Sequence, residues 1–71
     1  MITYEPLRNF LKENNISWYR FQKDMDFPNT TIERLKKDSP TEITTIDYIC
    51  DKYELSIECV VKHIPTNDSN D

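Results

Sequence analysis

None of the 71 residues is glycine. Glycine enters the left-handed backbone region without steric cost. Its absence argues against hairpin turns and against glycine-rich loops that cradle phosphates. Helices interrupted by Pro, Asn and Asp are what remains. The clearest interruption lies in the stretch SWYRFQKDMDFPNTTIERLKK, residues 17–37. Ser17 suits a helix N-cap, because its hydroxyl accepts from a free backbone N–H. Trp18, Phe21 and Met25 recur at i, i+3 and i+7, one face of a helix. Asp26 falls at the break, and Asp tolerates left-handed backbone better than most non-glycine residues. Pro28 fits the first turn of a second helix, with Asn29 as a further capping residue. Ile32 and Leu35 give that helix a thin apolar edge. Thr30, Thr31, Glu33, Arg34 and Lys37 give it a wide polar face. Such a helix is held by its neighbours and presents itself outward.

The two short helices and their turn resemble the helix-turn-helix of the Cro and lambda-repressor-like family of DNA-binding domains. The positions that carry the resemblance read Ser17, Phe21, Gln22, Met25, Asp26, Phe27, Thr31, Ile32 and Leu35. Gln22 stands where the family has a small residue, and Asp26 where it has glycine. The opening MITYEPL, the Thr45–Cys50 stretch and the closing Ile64-Pro65 look like small single-domain bacterial and phage regulators. The resemblance implies an all-α, five-helix domain over residues 1–65, with a small two-stranded patch from the chain ends.

The rest of the chain fits that frame. Ile2–Tyr4 is β-prone and precedes Pro6, which opens a first helix whose stripe is Leu7, Phe10 and Leu11. Asn14-Asn15 ends it. Asp38–Thr41 is dense in turn residues. A fourth helix is expected to open at Thr44 as N-cap, with Ile46, Ile49, Cys50 and Tyr53 inward. A fifth, capped by Ser56, turns Ile57, Val60 and Val61 inward. Lys62–Ile64 is rich in strand formers and is placed beside Ile2–Tyr4. Residues 66–71, TNDSND, carry no apolar side chain and are expected to be disordered. The expected core is Leu7, Phe10, Leu11, Phe21, Ile32, Leu35, Ile46, Ile49, Cys50, Ile57 and Val60.

A chain of this length makes one small domain that buries roughly 60–65% of its unfolded surface. The first residues hold no long apolar run, so neither a signal peptide nor a membrane-spanning segment is expected, and the expected location is cytoplasmic. Cys50 and Cys59 both fall on apolar stripes and read as reduced, buried thiols. A zinc site needs more ligands than these and His63 supply, so no metal or cofactor is expected. Asp47, Asp51, Glu54 and Glu58 read as a solvated acid face. No nucleophile–base pair or paired acid–base carboxylates stand out, and the chain reads as a non-enzyme.

Net charge is −4, unhelpful for a DNA binder, yet it is unevenly spread. Residues 15–40 carry five bases against four acids, while residues 41–71 carry two bases against seven acids. Screening over about 8–10 Å lets the basic cluster Arg34, Lys36 and Lys37 act apart from the acidic end.

By resemblance, Asn29 and Thr30 begin the recognition helix and reach base edges in the major groove. Asn29 donates and accepts together, which matches adenine; the Thr30 methyl suits thymine. Arg34 takes guanine or a phosphate. Glu33 accepts from cytosine or repels phosphate. Lys36 and Lys37 touch the DNA backbone. Ser17, Tyr19, Arg20 and Lys23 hold phosphate at the start of the helix before it, and Thr31 completes the family positions. Trp18 is core or partner-facing, and Gln22 is hydrogen-bonded between the two helices or to backbone. The leading function is a sequence-specific regulator, a repressor that occupies operator DNA as a homodimer. Ile2, Tyr4, Val61 and Ile64 are its expected dimer contact. The alternative is a phage-encoded acidic protein that binds a protein partner or mimics DNA to inhibit a host defence nuclease. An antitoxin-like or scaffold role is a third.

Overall fold

A computed structural model describes residues 1–65. The expectation for residues 66–71 lies outside the described residues. Strand β1 (Ile2–Thr3) leads into α1 (Glu5–Glu13), α2 (Trp18–Met25), α3 (Asn29–Lys37) and α4 (Ile43–Tyr53). A single 3-10 turn, Ile57–Cys59, then precedes β2 (Lys62–His63). The strands pair antiparallel, Ile2 opposite His63 and Thr3 opposite Lys62. The pairing expected of the chain ends is present, one residue shorter on each strand.

Four helices form among the described residues, not five. After Ser56 the chain has too few residues for a helix before Val60 is drawn into the core, where it is fully buried. Lys62 then joins β1. Ile57 is consequently 48% exposed rather than core, and Cys59 is exposed rather than buried. Cys50 is half-buried; burial first, then nearby Asp47 and Asp51, pushes its thiol pKa up. Both cysteines are free thiols. The fourth helix starts two residues earlier than a Thr44 cap implies: Glu42 is its N-cap, and the Glu42 carbonyl accepts from Thr45 and Ile46. Thr44 lies inside the helix, with its hydroxyl 3.4 Å from the Glu42 carboxylate.

The core gathers Leu7 and Leu11 of α1, Phe21 and Met25 of α2, Ile32 and Leu35 of α3, and Ile46 and Ile49 of α4. Val60 and Tyr4 complete it. Phe10 is half-buried and packs against this cluster. Phe21 is the meeting point of the aromatic side chains. Its ring lies 5.5 Å from Trp18, 6.0 Å from Phe27 and 6.1 Å from Tyr53. Such pairs are worth about 0.5–1.5 kcal/mol each beyond their area.

Every helix ends without glycine. Asn15, Asp26, Asp38 and Glu54 all have φ between 55° and 60°. The following residue in each case bonds back five positions: Ile16 to Leu11, Phe27 to Gln22, Ser39 to Arg34 and Leu55 to Cys50. These are Schellman-type ends, which satisfy carbonyls that the helix leaves open. Ile16, Phe27 and Leu55 then pack on the core and supply the apolar contact that accompanies the motif.

Asp38 does more than end α3. Its Oδ1 accepts from the Tyr4 backbone N–H at 2.7 Å, the Thr3 hydroxyl at 3.1 Å and Arg8 at 2.8 Å. Arg8 also donates to the Leu35 carbonyl at 3.2 Å. Tyr4, placed at a dimer contact by its sequence position, is only 2% exposed. Its hydroxyl donates to the Ser39 carbonyl at 2.9 Å, so the Thr41 hydroxyl, 3.1 Å away, donates to it. The Arg8 hydrogen bond, more than any other contact, holds the Asp38 carboxyl below its ordinary pKa of 3.8, against the opposing effect of burial.

Two stability measurements follow from these ends. Glu54 takes left-handed backbone with an exposed side chain. Glu54→Gly should therefore raise stability by about 0.5–1 kcal/mol, or about 2–8 °C in Tm. Asp38→Asn keeps a residue that tolerates left-handed backbone but removes the charge facing Arg8. It should cost about 1–2 kcal/mol at neutral pH in denaturant unfolding. Because the folded pKa is the lower one, this stabilisation is complete above pH 3.8. The gap between parent and Asp38→Asn should close as pH falls below that value.

Candidate nucleic-acid interface

The exposed face of α3 is set by what its other face buries. Ile32 and Leu35 point into the core, and Thr31 is half-buried beside them. At 100° per residue, Thr30, Glu33, Arg34 and Lys37 fall on the opposite side, and all are exposed. With Asn29 and Ser39 they line a shallow surface hollow of about 350 Å³. Glu33 and Lys37 form an i, i+4 ion pair at 3.5 Å. Arg34 makes no side-chain hydrogen bond or ion pair among the described residues. An exposed guanidinium with five unengaged donors is suited to a bidentate acceptor.

Lys36 sits on a different side. Its ammonium lies 5.7 Å from the centre of the Trp18 ring, a cation–π contact from the end of α3 to the start of α2. Trp18 is half-buried against the core, which settles it as a packing residue.

The turn between α2 and α3 is built on Gln22. Its Nε2 donates to the Phe27 carbonyl at 3.1 Å and to Asn29 Oδ1 at 2.8 Å. The helices meet around a hydrogen-bonding amide in place of a small residue, as the residue type suggested. Pro28 occupies the N-cap position of α3, and its carbonyl accepts from Thr31 and Ile32. Asn29 is thus the first helical residue rather than a cap, and its side chain faces back to Gln22.

At the start of α2, Ser17 Oγ accepts from the Arg20 N–H at 3.1 Å. The N–H groups of Trp18 and Tyr19 precede the first bonded turn, where a helix favours an anion. Tyr19 is 69% exposed, with the Lys23 ammonium 5.4 Å from its ring centre. Arg20 is 3.8 Å from Asp24, exposed on both sides, a contact of little energetic weight. Asp24 also accepts from the Tyr53 hydroxyl at 3.3 Å. Burial, with Asp24 as the next cause, pushes the Tyr53 pKa up.

The predicted site residues thus fall into two exposed groups, one at the start of α2 and one along α3, joined by the Gln22 turn. Lys36 is diverted to Trp18, and Thr31 is partly withdrawn into packing. Missed in the sequence were the residues that position α3 from outside the motif, Arg8, Tyr4 and Asp38. Only the position of Asp38 after a basic helix end hinted at them.

The family model of the Cro/C1-type HTH DNA-binding domain matches residues 6–65, which include this two-helix unit. The chain belongs to the Cro/C1-type helix-turn-helix DNA-binding family. No curated protein and no solved structure gives a significant match. Within the family frame α2 and α3 are the two helices of the motif, and the protein is a DNA-binding domain of the kind used in transcription regulation. Among the described residues, no helix is long and apolar enough to cross a membrane, and no three His, Cys, Asp or Glu side chains form a metal-binding group.

Proposed function

We propose that this Cro/C1-type domain is a sequence-specific transcriptional regulator that represses by occupying operator DNA. The observation that carries the reading is Arg34, exposed and without a side-chain partner among the described residues, on the same face as Thr30. In this reading α3 enters the major groove. Asn29 and Thr30 meet base edges near its start, and Arg34 meets guanine or phosphate one turn later. Glu33 stays tied to Lys37 or accepts from cytosine. Lys37 and Lys36 lie toward the DNA backbone, Lys36 from its place over Trp18. Ser17, Tyr19, Arg20 and Lys23 line the start of α2, where the helix dipole and open N–H groups favour phosphate. Thr31 supports the helix more than it reads. The action is occupancy without chemistry, so the protein is not an enzyme.

One recognition helix spans only a few base pairs, which favours two copies on paired half-sites. An apolar hollow of about 500 Å³ beside the strands supports a homodimer, lined by Met1, Ile2, Ile43, Ile57 and Val61 among others. Ile43 is 68% exposed. With Tyr4 buried, the dimer contact becomes Ile2, Val61 and Ile64 joined by Ile43 and Ile57. The competing reading, an acidic protein-binding or DNA-mimicking inhibitor, draws on exposed Asp47, Asp51, Glu54 and Glu58.

Selection from a randomised duplex pool separates the two. The regulator should enrich a defined sequence, with affinity falling steeply as salt rises. Arg34→Ala should cost roughly 1–3 kcal/mol and relax preference at one position if the contact is to guanine. If Arg34 meets phosphate, the loss should be uniform and the salt slope should fall by about one unit. No enrichment by the parent, with loss of function on replacing Asp47, Asp51 and Glu58 instead, would overturn the operator reading. For the dimer, sedimentation at high micromolar concentration should show two-chain species with duplex present; a strict monomer there would contradict it.

A further inference from the structure

Gln22 carries an inference that deepens the DNA-reading proposal and rests on it. The Phe27 carbonyl oxygen only accepts hydrogen bonds, so the Gln22 atom 3.1 Å from it is the NH₂ group, Nε2. The same NH₂ lies 2.8 Å from the Asn29 side chain and needs an acceptor there, which is Oδ1. One backbone carbonyl therefore orients two amides in series. Asn29 Oδ1 is engaged, and Asn29 Nδ2 is left with no partner among the described residues. Asn29 itself is exposed, at the first position of α3.

We propose that Gln22 is a positioning residue for base specificity. It locks the Asn29 amide so that Nδ2, a donor, is the end offered to DNA. A free Asn presents donor and acceptor together and suits adenine; an Asn held by its oxygen presents donors and suits an edge made of acceptors. In the major groove guanine alone shows two acceptors, N7 and O6, and no donor, where thymine has the single O4 beside its methyl and adenine pairs N7 with a donor. Gln22 thus sets what Asn29 reads without reaching the base itself. The identity of the residue matters: glutamate has no NH₂ to give. It would accept from Asn29 Nδ2 and turn Oδ1 outward, toward the donors of cytosine N4 or adenine N6.

The test is duplex-pool selection with the parent, Gln22→Ala, Gln22→Glu and Asn29→Asp, each checked by circular dichroism melting. The parent should favour guanine at one position by about fivefold, as one base-edge hydrogen bond gives. Gln22→Ala should flatten that position and leave the others intact. Gln22→Glu should replace guanine there with cytosine or adenine. Asn29→Asp keeps the bond from Gln22 but has no donor, so it should lose the guanine preference even if the Gln22 variants fold poorly. Base profiles unchanged in all folded variants, or a uniform loss at every position, would show that Gln22 only packs the turn and would overturn the inference. A parent that enriches no sequence overturns both this inference and the operator reading. A parent that enriches a sequence insensitive to residues 22 and 29 overturns this one alone.

Discussion

The Asp38 carboxylate is the constraint on which the rest of the structure depends. It ends α3, and it ties that end to three groups from the first eight residues: the Thr3 hydroxyl, the Tyr4 N–H and the Arg8 guanidinium. Arg8 in turn reaches the Leu35 carbonyl. A short helix is marginal in water by itself, and α3 has nine residues. Its stability must come from what it packs on and from how its ends are closed. Asp38 closes one end by left-handed backbone, by an ion pair and by anchoring β1, which in turn pairs with β2.

The other end is closed by amides. Gln22 holds the Phe27 carbonyl and Asn29, while Phe27 packs its ring on Phe21. Ile32 and Leu35 fasten the inner edge, and Lys36 leans on Trp18. With these positions fixed, the residues left over are Thr30, Glu33, Arg34 and Lys37, and they form the outward face. The surface that a DNA-binding domain needs is thus the remainder after stability has been provided. That separation explains how an acidic chain keeps a locally basic helix: residues 41–71 carry seven acids against two bases, while residues 15–40 carry five bases against four acids.

Local chemistry was legible in the residues. The Ser17 cap, the left-handed Asp26, the extent of α2 and α3 and the burial of Ile32 and Leu35 follow from side-chain type and spacing over a few positions. So did the bonding of Gln22, a long amide at a close helix approach. What could not be read was set by contacts across long stretches of chain. Arg8 and Asp38 are 30 positions apart, and no periodicity joins them. Tyr4 looked like a surface residue because its partners, Ser39 and Thr41, lie in a distant loop. The fifth helix was misread because Ile57, Val60 and Val61 have helical spacing, while strand pairing at Lys62–His63 draws the chain away after three residues. Ile57 and Cys59 were left exposed by the same competition.

The central claim is that α3, with the start of α2, is the surface that meets DNA. Titrating the ¹⁵N-labelled protein with its selected duplex, and following backbone and side-chain amide shifts, tests it most directly. The account predicts the largest changes at Tyr19, Arg20, Asn29, Thr30 and Arg34, with Asp47, Asp51 and Glu58 unmoved. Changes concentrated on α4 and the 3-10 turn, with α3 silent, would contradict it.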